Sequence, residues 1–143
     1  MSEKQPYLEF TGTVICEDIR REANGKHILI GVYSSNIVCR DFPADLAVAL
    51  WVMYEASGPG NVRVDFRAVT DKGAQLLSVS GAANLSGLGR GALPIPSCGI
   101  QVQSPGTLIF EARQGGEEAK WEKISSIPVV ARKELSSKKA KVD

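Results

Sequence analysis

The chain is poor in the side chains from which small active sites and metal centres are usually built. It holds one histidine, His27, in 143 residues. A hydrolase built on an imidazole base therefore has a single candidate for that base. Neither SVSGAAN (78–84) nor SCG (97–99) has the form of a strand-to-helix nucleophile elbow. The cysteines, Cys16, Cys39 and Cys98, are odd in number and far apart, with no CxxC, which spells out neither a disulfide framework nor a zinc knuckle. His27 with Asp18 and Glu22 could in principle gather around a divalent ion, but a solvated charge pair accounts for the same residues at lower cost. The acidic pairs Glu17-Asp18 and Glu117-Glu118 are sequence neighbours, and in a strand neighbours point to opposite faces, so neither forms an acid/base pair. GLGRGALP (87–94) is not GxxxxGK[ST]. No catalytic residue, metal or cofactor is expected, and the chain reads as a non-enzyme.

Membrane and export signals are missing as well. MSEKQPYLEF has no apolar signal core. The longest apolar run, LAVALWVMY (46–54), is nine residues, against the roughly 20 of a membrane-spanning helix. With unpaired cysteines, this predicts a cytoplasmic protein. Charge is nearly balanced overall, at +1, but unevenly placed. Arg132, Lys133, Lys138, Lys139 and Lys141 against Glu134 and Asp143 give residues 131–143 a net +3, leaving −2 for the preceding 130. A near-neutral body argues against nucleic-acid binding, which wants a basic face; only the basic tail, expected to be flexible, could touch a phosphate backbone.

What the chain does have is strand signal. LEFTGTVIC (8–16) alternates, with Leu8, Phe10, Gly12 and Val14 expected on one side and Glu9, Thr11 and Thr13 on the other. HILIGVYS (27–34) is a dense β-branched and aromatic run, expected to have both faces at least partly covered. FPADLAVALWVMYEA (42–56) is rich in Ala and Leu but keeps period two at Val48, Leu50, Val52 and Tyr54, which favours a short turn at 43–46 and a strand at 47–56. NVRVDFRAV is the cleanest strand, with Val62, Val64, Phe66 and Ala68 inward and Arg63, Asp65 and Arg67 on a wet face. QLLSVSG (75–81), IQVQ (100–103), GTLIFEAR (106–113) and AKWEKISSIPVV (119–130) follow. Residues 82–99, rich in Gly, Pro and Ser, read as a crossing or a mobile loop.

About eight strands with turns every 8–12 residues and no convincing helix predict an all-β domain over 1–130. Its expected form is a two-sheet antiparallel sandwich, immunoglobulin-like or similar, with a protruding N-terminal hairpin. A small closed barrel is the alternative. Asn24-Gly25 suits a type I′ turn, which would set Glu22 against His27, Arg20 against Leu29 and Cys16 against Tyr33.

That hairpin is also the densest charged stretch. CEDIRREANGKH places Asp18, Arg20, Arg21, Glu22, Lys26 and His27 around the turn. Either it is a mixed-charge contact surface, or it is a charged rim that stops an exposed ribbon from pairing with other strands. Tyr33 and Trp51 are candidate anchors if they face outward, and Arg90 is a candidate contact in the 82–99 segment.

CEDIRREANGKHILIGVYSSNI (16–37) followed by FPADL (42–46) resembles a bacterial family of small proteins of unknown function. Its members open with a Cys-acidic-Asp-hydrophobic-Arg motif, then a Gly-Lys turn and LIGVY. PGTLIFEARQGGEEAKWEKISSIPV (105–129) is similar to that family's last hairpin. The resemblance implies an intracellular β-rich domain and leaves its role open, since no activity, ligand or catalytic residue is established for that family. Three functional expectations stand together. The first is a protein-interaction module using the 16–27 ribbon and the 82–99 segment. The second is a small-ligand binder or enzyme using Asp18, Arg20, Glu22 and His27. The third is a structural subunit that self-associates through an edge strand, as in a phage or secretion particle.

Overall fold

The computed structural model describes residues 5–87 and 89–132. Nine strands lie among them: β1 (Leu8–Arg21), β2 (His27–Val32), β3 (Ile37–Cys39), β4 (Ala44–Ala56), β5 (Gly60–Thr70), β6 (Gln75–Leu85), β7 (Gly89–Val102), β8 (Gly106–Gln114) and β9 (Glu122–Ala131). They form a four-stranded sheet, β2-β1-β4-β7, and a five-stranded sheet, β3-β9-β8-β5-β6. The inward rows of the two sheets make one core, which includes Val48, Leu50 and Val52 of β4, Val64 and Phe66 of β5, and Leu108 and Phe110 of β8. The all-β two-sheet sandwich is as expected, with the N-terminal hairpin in place. One pair departs from antiparallel: β3 runs parallel to β9.

Two expectations about local structure are corrected. The 82–99 segment is not a loop. Residues 82–85 complete β6 and 89–99 are most of β7, which pairs with β4 from Gly89↔Ala56 to Val102↔Ala44. Pro94 and Pro96 are compatible with this because β7 is the last strand of its sheet, where a missing N–H breaks no ladder. Gly91 has a packing role: a side chain there would run into the Tyr54 ring. The strand expected at 47–56 is present and starts earlier, at Ala44. The basic tail lies, beyond Arg132, outside the described residues.

The second correction lies in β1. Phe10 pairs with Tyr54 and Gly12 with Met53, so Thr11 is the extra residue of a β-bulge. One inserted residue exchanges the two sides of everything that follows. Leu8 therefore faces the core, but so does Ile15, and Val14 does not join the core cluster. Thr13 is carried inward opposite the fully buried Val52, and its Oγ1 is a buried oxygen without a hydrogen-bond partner. The start of β1 is fastened across the sandwich by Gln114: Leu8 N donates to Oε1 at 2.7 Å, and Nε2 donates to Leu8 O at 2.6 Å.

On the far side of the five-stranded sheet, the expected wet face of β5 is largely covered. Asp65 is 1% exposed. Arg113 Nε donates to Asp65 Oδ2 at 2.8 Å, Arg67 bonds Glu111 at 2.8 Å, and both guanidinium carbons lie within 4.4 Å of the Trp121 ring centroid. The Arg113 hydrogen bond holds the Asp65 carboxyl below its ordinary value of 3.8; burial pulls the other way, and Ser80 and Arg63 add to the lowering.

Two outcomes follow from these two residues. Thr13→Val exchanges the unsatisfied hydroxyl for a methyl of the same shape and is expected to stabilise the fold by about 1 kcal/mol, measured by urea unfolding. A depressed carboxylate pKa contributes stability that is complete above the ordinary value of 3.8 and is lost as pH falls through the lower folded value. Asp65→Asn should therefore cost on the order of 3 kcal/mol at neutral pH, because it strips a nearly buried arginine of its partner. The variant should also lack that acid-side decline, which paired unfolding series at descending pH would detect.

Candidate functional site

The site is built outward from the turn of the N-terminal hairpin. Gly25 N donates to Glu22 O at 3.0 Å and Glu22 N donates to Lys26 O at 2.7 Å, with Gly25 at φ 86°. Asn24 keeps a negative φ, since among the described residues only glycines take positive values. This is a three-residue loop with a left-handed glycine, not the type I′ turn that Asn24-Gly25 suggested. Asn24 instead uses its side chain, accepting from Lys26 N at 3.0 Å.

The longer loop moves the register by one residue. Arg21, not Glu22, faces His27, and the ladder continues through Arg20↔Ile28 and Asp18↔Ile30 to Cys16↔Val32. The expected Glu22–His27 and Arg20–Leu29 pairs are therefore absent from the ladder. Asp18 and Arg20 now share a side of the ribbon with their ladder partners Ile30 and Ile28, and Val32 follows beyond the left-handed Gly31. Ile28, Ile30 and Val32 are 44%, 38% and 51% exposed. Among the described residues, six large apolar side chains are at least 36% exposed, and half of them lie on this one short strand. The covered faces expected for HILIGV are thus found only on the side of His27 and Leu29, which are half-buried.

The ribbon does not continue along the sheet. The ladder from β1 to β4 ends at Cys16↔Ala49. Two contacts then tie the ribbon to the outer surface of β4 and β7: Ser97 Oγ donates to Glu17 O at 2.7 Å, and the His27 ring lies 5.1 Å from the Trp51 ring. Trp51 pairs with Val14, seven residues before the Arg21 that faces His27. In a straight strand those positions would be about 23 Å apart. The hairpin must therefore bend back across the sheet. Ala49, fully buried, lies where it crosses, and a small residue is what a close crossing needs. Gly31 sits at the bend with φ 65°, against the Glu17 side chain, where any Cβ would collide. Cys16 is sealed beneath, its thiol 3.5 Å from Asp18 O and 3.7 Å from Ala49 O. Burial pushes the Cys16 and Cys39 thiols up, so both stay protonated and are poor nucleophiles.

The other predicted residues are placed as follows. Asp18 is engaged locally, accepting from Ile19 N at 2.9 Å and pairing with Arg20 at 3.5 Å; both are exposed enough that the pair is worth little. Arg21, Glu22 and Lys26 ring the exposed turn. Tyr33 is half-buried, its hydroxyl donating to Ala47 O at 3.1 Å; burial, with Glu17 next in importance, raises its pKa. Trp51 faces outward but lies under His27. Arg90, on β7, pairs with Glu55 at 3.1 Å, beside a cleft of about 650 Å³ that also includes Trp51 and Met53. A cleft of about 890 Å³ at the end of the sandwich has Arg63, Arg113 and Lys120 in its walls. Neither cleft is lined by Asp18, Arg20, Glu22 or His27. Those four are spread along the ribbon, with His27 on the side opposite Asp18 and Arg20. Among the described residues, no group of three or more His, Cys, Asp or Glu side chains could hold a metal ion, and no helix is long and apolar enough to cross a membrane.

The sequence matches the family of unknown function DUF6941 over residues 12–125. The chain belongs to that family, and the matched span runs from the β1 bulge into β9. No curated protein matches the sequence.

Gly31→Val tests the bend. A branched side chain at a positive φ, pressed on Glu17, is expected to cost about 2 kcal/mol. It should also loosen the ribbon, so that Cys16 is alkylated faster, as peptide mapping by mass spectrometry would show. Unchanged stability with Cys16 still protected would mean that Gly31 does not hold the bend.

Proposed function

We propose that this domain is a non-enzymatic binding module of the cytoplasm that engages a protein partner through its folded-back ribbon. The observation that carries the reading is the row Ile28, Ile30 and Val32, exposed on a strand at the edge of its sheet. An apolar centre with a charged margin is the usual anatomy of a protein contact. Asp18 and Arg20 supply that margin on the same side, and Arg21, Glu22 and Lys26 extend it around the turn. The His27–Trp51 contact and the Ser97 hydrogen bond hold the row in place before binding, which lowers the entropic cost of association. The non-enzymatic part is supported by the dispersed titratable groups and the protonated buried thiols. The compartment is supported by cysteines that are all free, as a reducing environment keeps them.

The test is affinity purification of the tagged protein from its own host, compared with Ile28→Glu/Ile30→Glu and with Asp18→Ala/Arg20→Ala. Both pairs lie on the surface, so thermal unfolding should shift little. A stoichiometric partner is expected with the wild-type protein, lost with the first variant and weakened about tenfold or more with the second. A partner retained at full stoichiometry by the Ile28→Glu/Ile30→Glu protein would move the binding site elsewhere.

A further inference from the structure

Two open sheets leave four outer strands among the described residues: β2 and β7 in one sheet, β3 and β6 in the other. Unpaired strand edges are templates for further pairing, and proteins blunt them with kinks, prolines, bulges, charge or brevity. Three of these four edges are blunted. β2 is kinked at Gly31, β7 carries Pro94 and Pro96 and a register break against β4, and β3 has three residues. β6 is different. It is eleven residues long, QLLSVSGAANL, with no proline and no charged residue. Its register with β5 is unbroken from Leu85↔Gly60 to Leu77↔Ala68. Ser78, Ser80, Gly81, Ala82 and Asn84 are exposed, and a side chain built on Gly81 would meet nothing within 4 Å.

We infer that β6 is a self-association edge, pairing antiparallel with β6 of a second copy about a two-fold axis at Ser80. The occupant is argued from the self-complementarity of the strand. With Ser80 facing its own counterpart, Val79 faces Gly81, Leu77 faces Ala83, and Ser78 faces Ala82. On the core side, the bulky Leu77 and Val79 thus each meet a small residue. Leu77 and Val79 are only half-buried in the single chain although they pack on the core, and this pairing would finish covering them. No charge opposes a charge, since the strand has none. The product is one continuous ten-stranded sheet, joined by about ten backbone hydrogen bonds. This surface is separate from the ribbon and does not depend on the function proposed above.

The experiment is sedimentation equilibrium on the full chain over a concentration series, with two variants. The wild-type protein is expected to reach twice the 15.3 kDa of the chain. Ser80→Lys sets like charges across the axis and should return the mass to that of one chain, with the far-ultraviolet circular dichroism still that of the folded sandwich even if losing the Ser80 hydrogen bond to Asp65 shifts thermal unfolding. Ser80→Cys in a Cys98→Ser background should form an intermolecular disulfide on mild oxidation, whereas Asn61→Cys in the same background, one strand inward, should not. Ile28→Glu/Ile30→Glu should leave the mass at the dimer value. A wild-type mass of one chain at every concentration would overturn the proposal. So would a dimer that survives Ser80→Lys, or one in which Ser80→Cys fails to cross-link.

Discussion

Strand β1 is longer than the partner it is built on, and the folded-back ribbon proposed as a binding face depends on that mismatch. The β4 ladder stops at Cys16↔Ala49, but β1 runs on to Arg21. Beyond that point the backbone is satisfied only by β2, and an isolated two-stranded hairpin is at best marginally stable in water. The extra length must therefore rest on something. It rests on the outside of its own sheet, passing over Ala49 and seating His27 on Trp51. Burial of Cys16, the left-handed Gly31 and the Ser97–Glu17 hydrogen bond all follow from that one accommodation.

The two sheets solve the problem of their outer surfaces by different chemistry. The four-stranded sheet covers part of its surface with its own ribbon, and the cost is that the ribbon's other side carries isoleucines and a valine into solvent. The five-stranded sheet uses polar groups instead. Asp65 lies under Arg113 and Arg63, and Arg67 and Arg113 close over Trp121. Asp65, Arg113, Arg67 and Glu111 are paired with one another, and the half-exposed Arg63 bridges Asp65 and Glu117, so these groups serve the sheet first. This is why the richest set of ion pairs in the described residues is a poorer functional candidate than three aliphatic side chains in a row.

Most of the fold was legible because burial imposes period two. Val62, Val64, Phe66 and Ala68 were placed inward from spacing alone, and the structure buries all four. The errors come where one residue decides. Thr11, an ordinary strand former, is inserted as a bulge, and nothing in LEFTGTVIC marks it; Thr13 and Val14 change places as a result. Asn24-Gly25 is compatible with two turn geometries that differ by one residue in length, and only the observed one puts Asp18 and Arg20 beside Ile30 and Ile28. Composition misled over 82–99, because glycine and proline signal a loop in the middle of a chain but are tolerated at a sheet edge. The charged residues around the turn do lie on a two-stranded ribbon, as their spacing suggested. The aliphatic row was not recognised, because its exposure depends on the bend at Gly31, which local pattern does not encode.

The ribbon and the β6 edge belong to different sheets, which bears on how they could act together. Pairing at β6 extends the five-stranded sheet and leaves the β2-β1-β4-β7 surface uncovered in both copies. A two-fold axis there produces two identical ribbons at a fixed separation, held by a rigid ten-stranded sheet and not by a linker. Each aliphatic row is short, with three side chains at most to bury, so a single contact would be modest. Two rows presented at once to a repetitive or dimeric target would bind far more tightly than either, by effective concentration alone. The proposed self-association through an uncharged edge and the proposed recognition through an apolar row would then act together, a small sandwich gaining affinity by duplication and not by enlarging its contact.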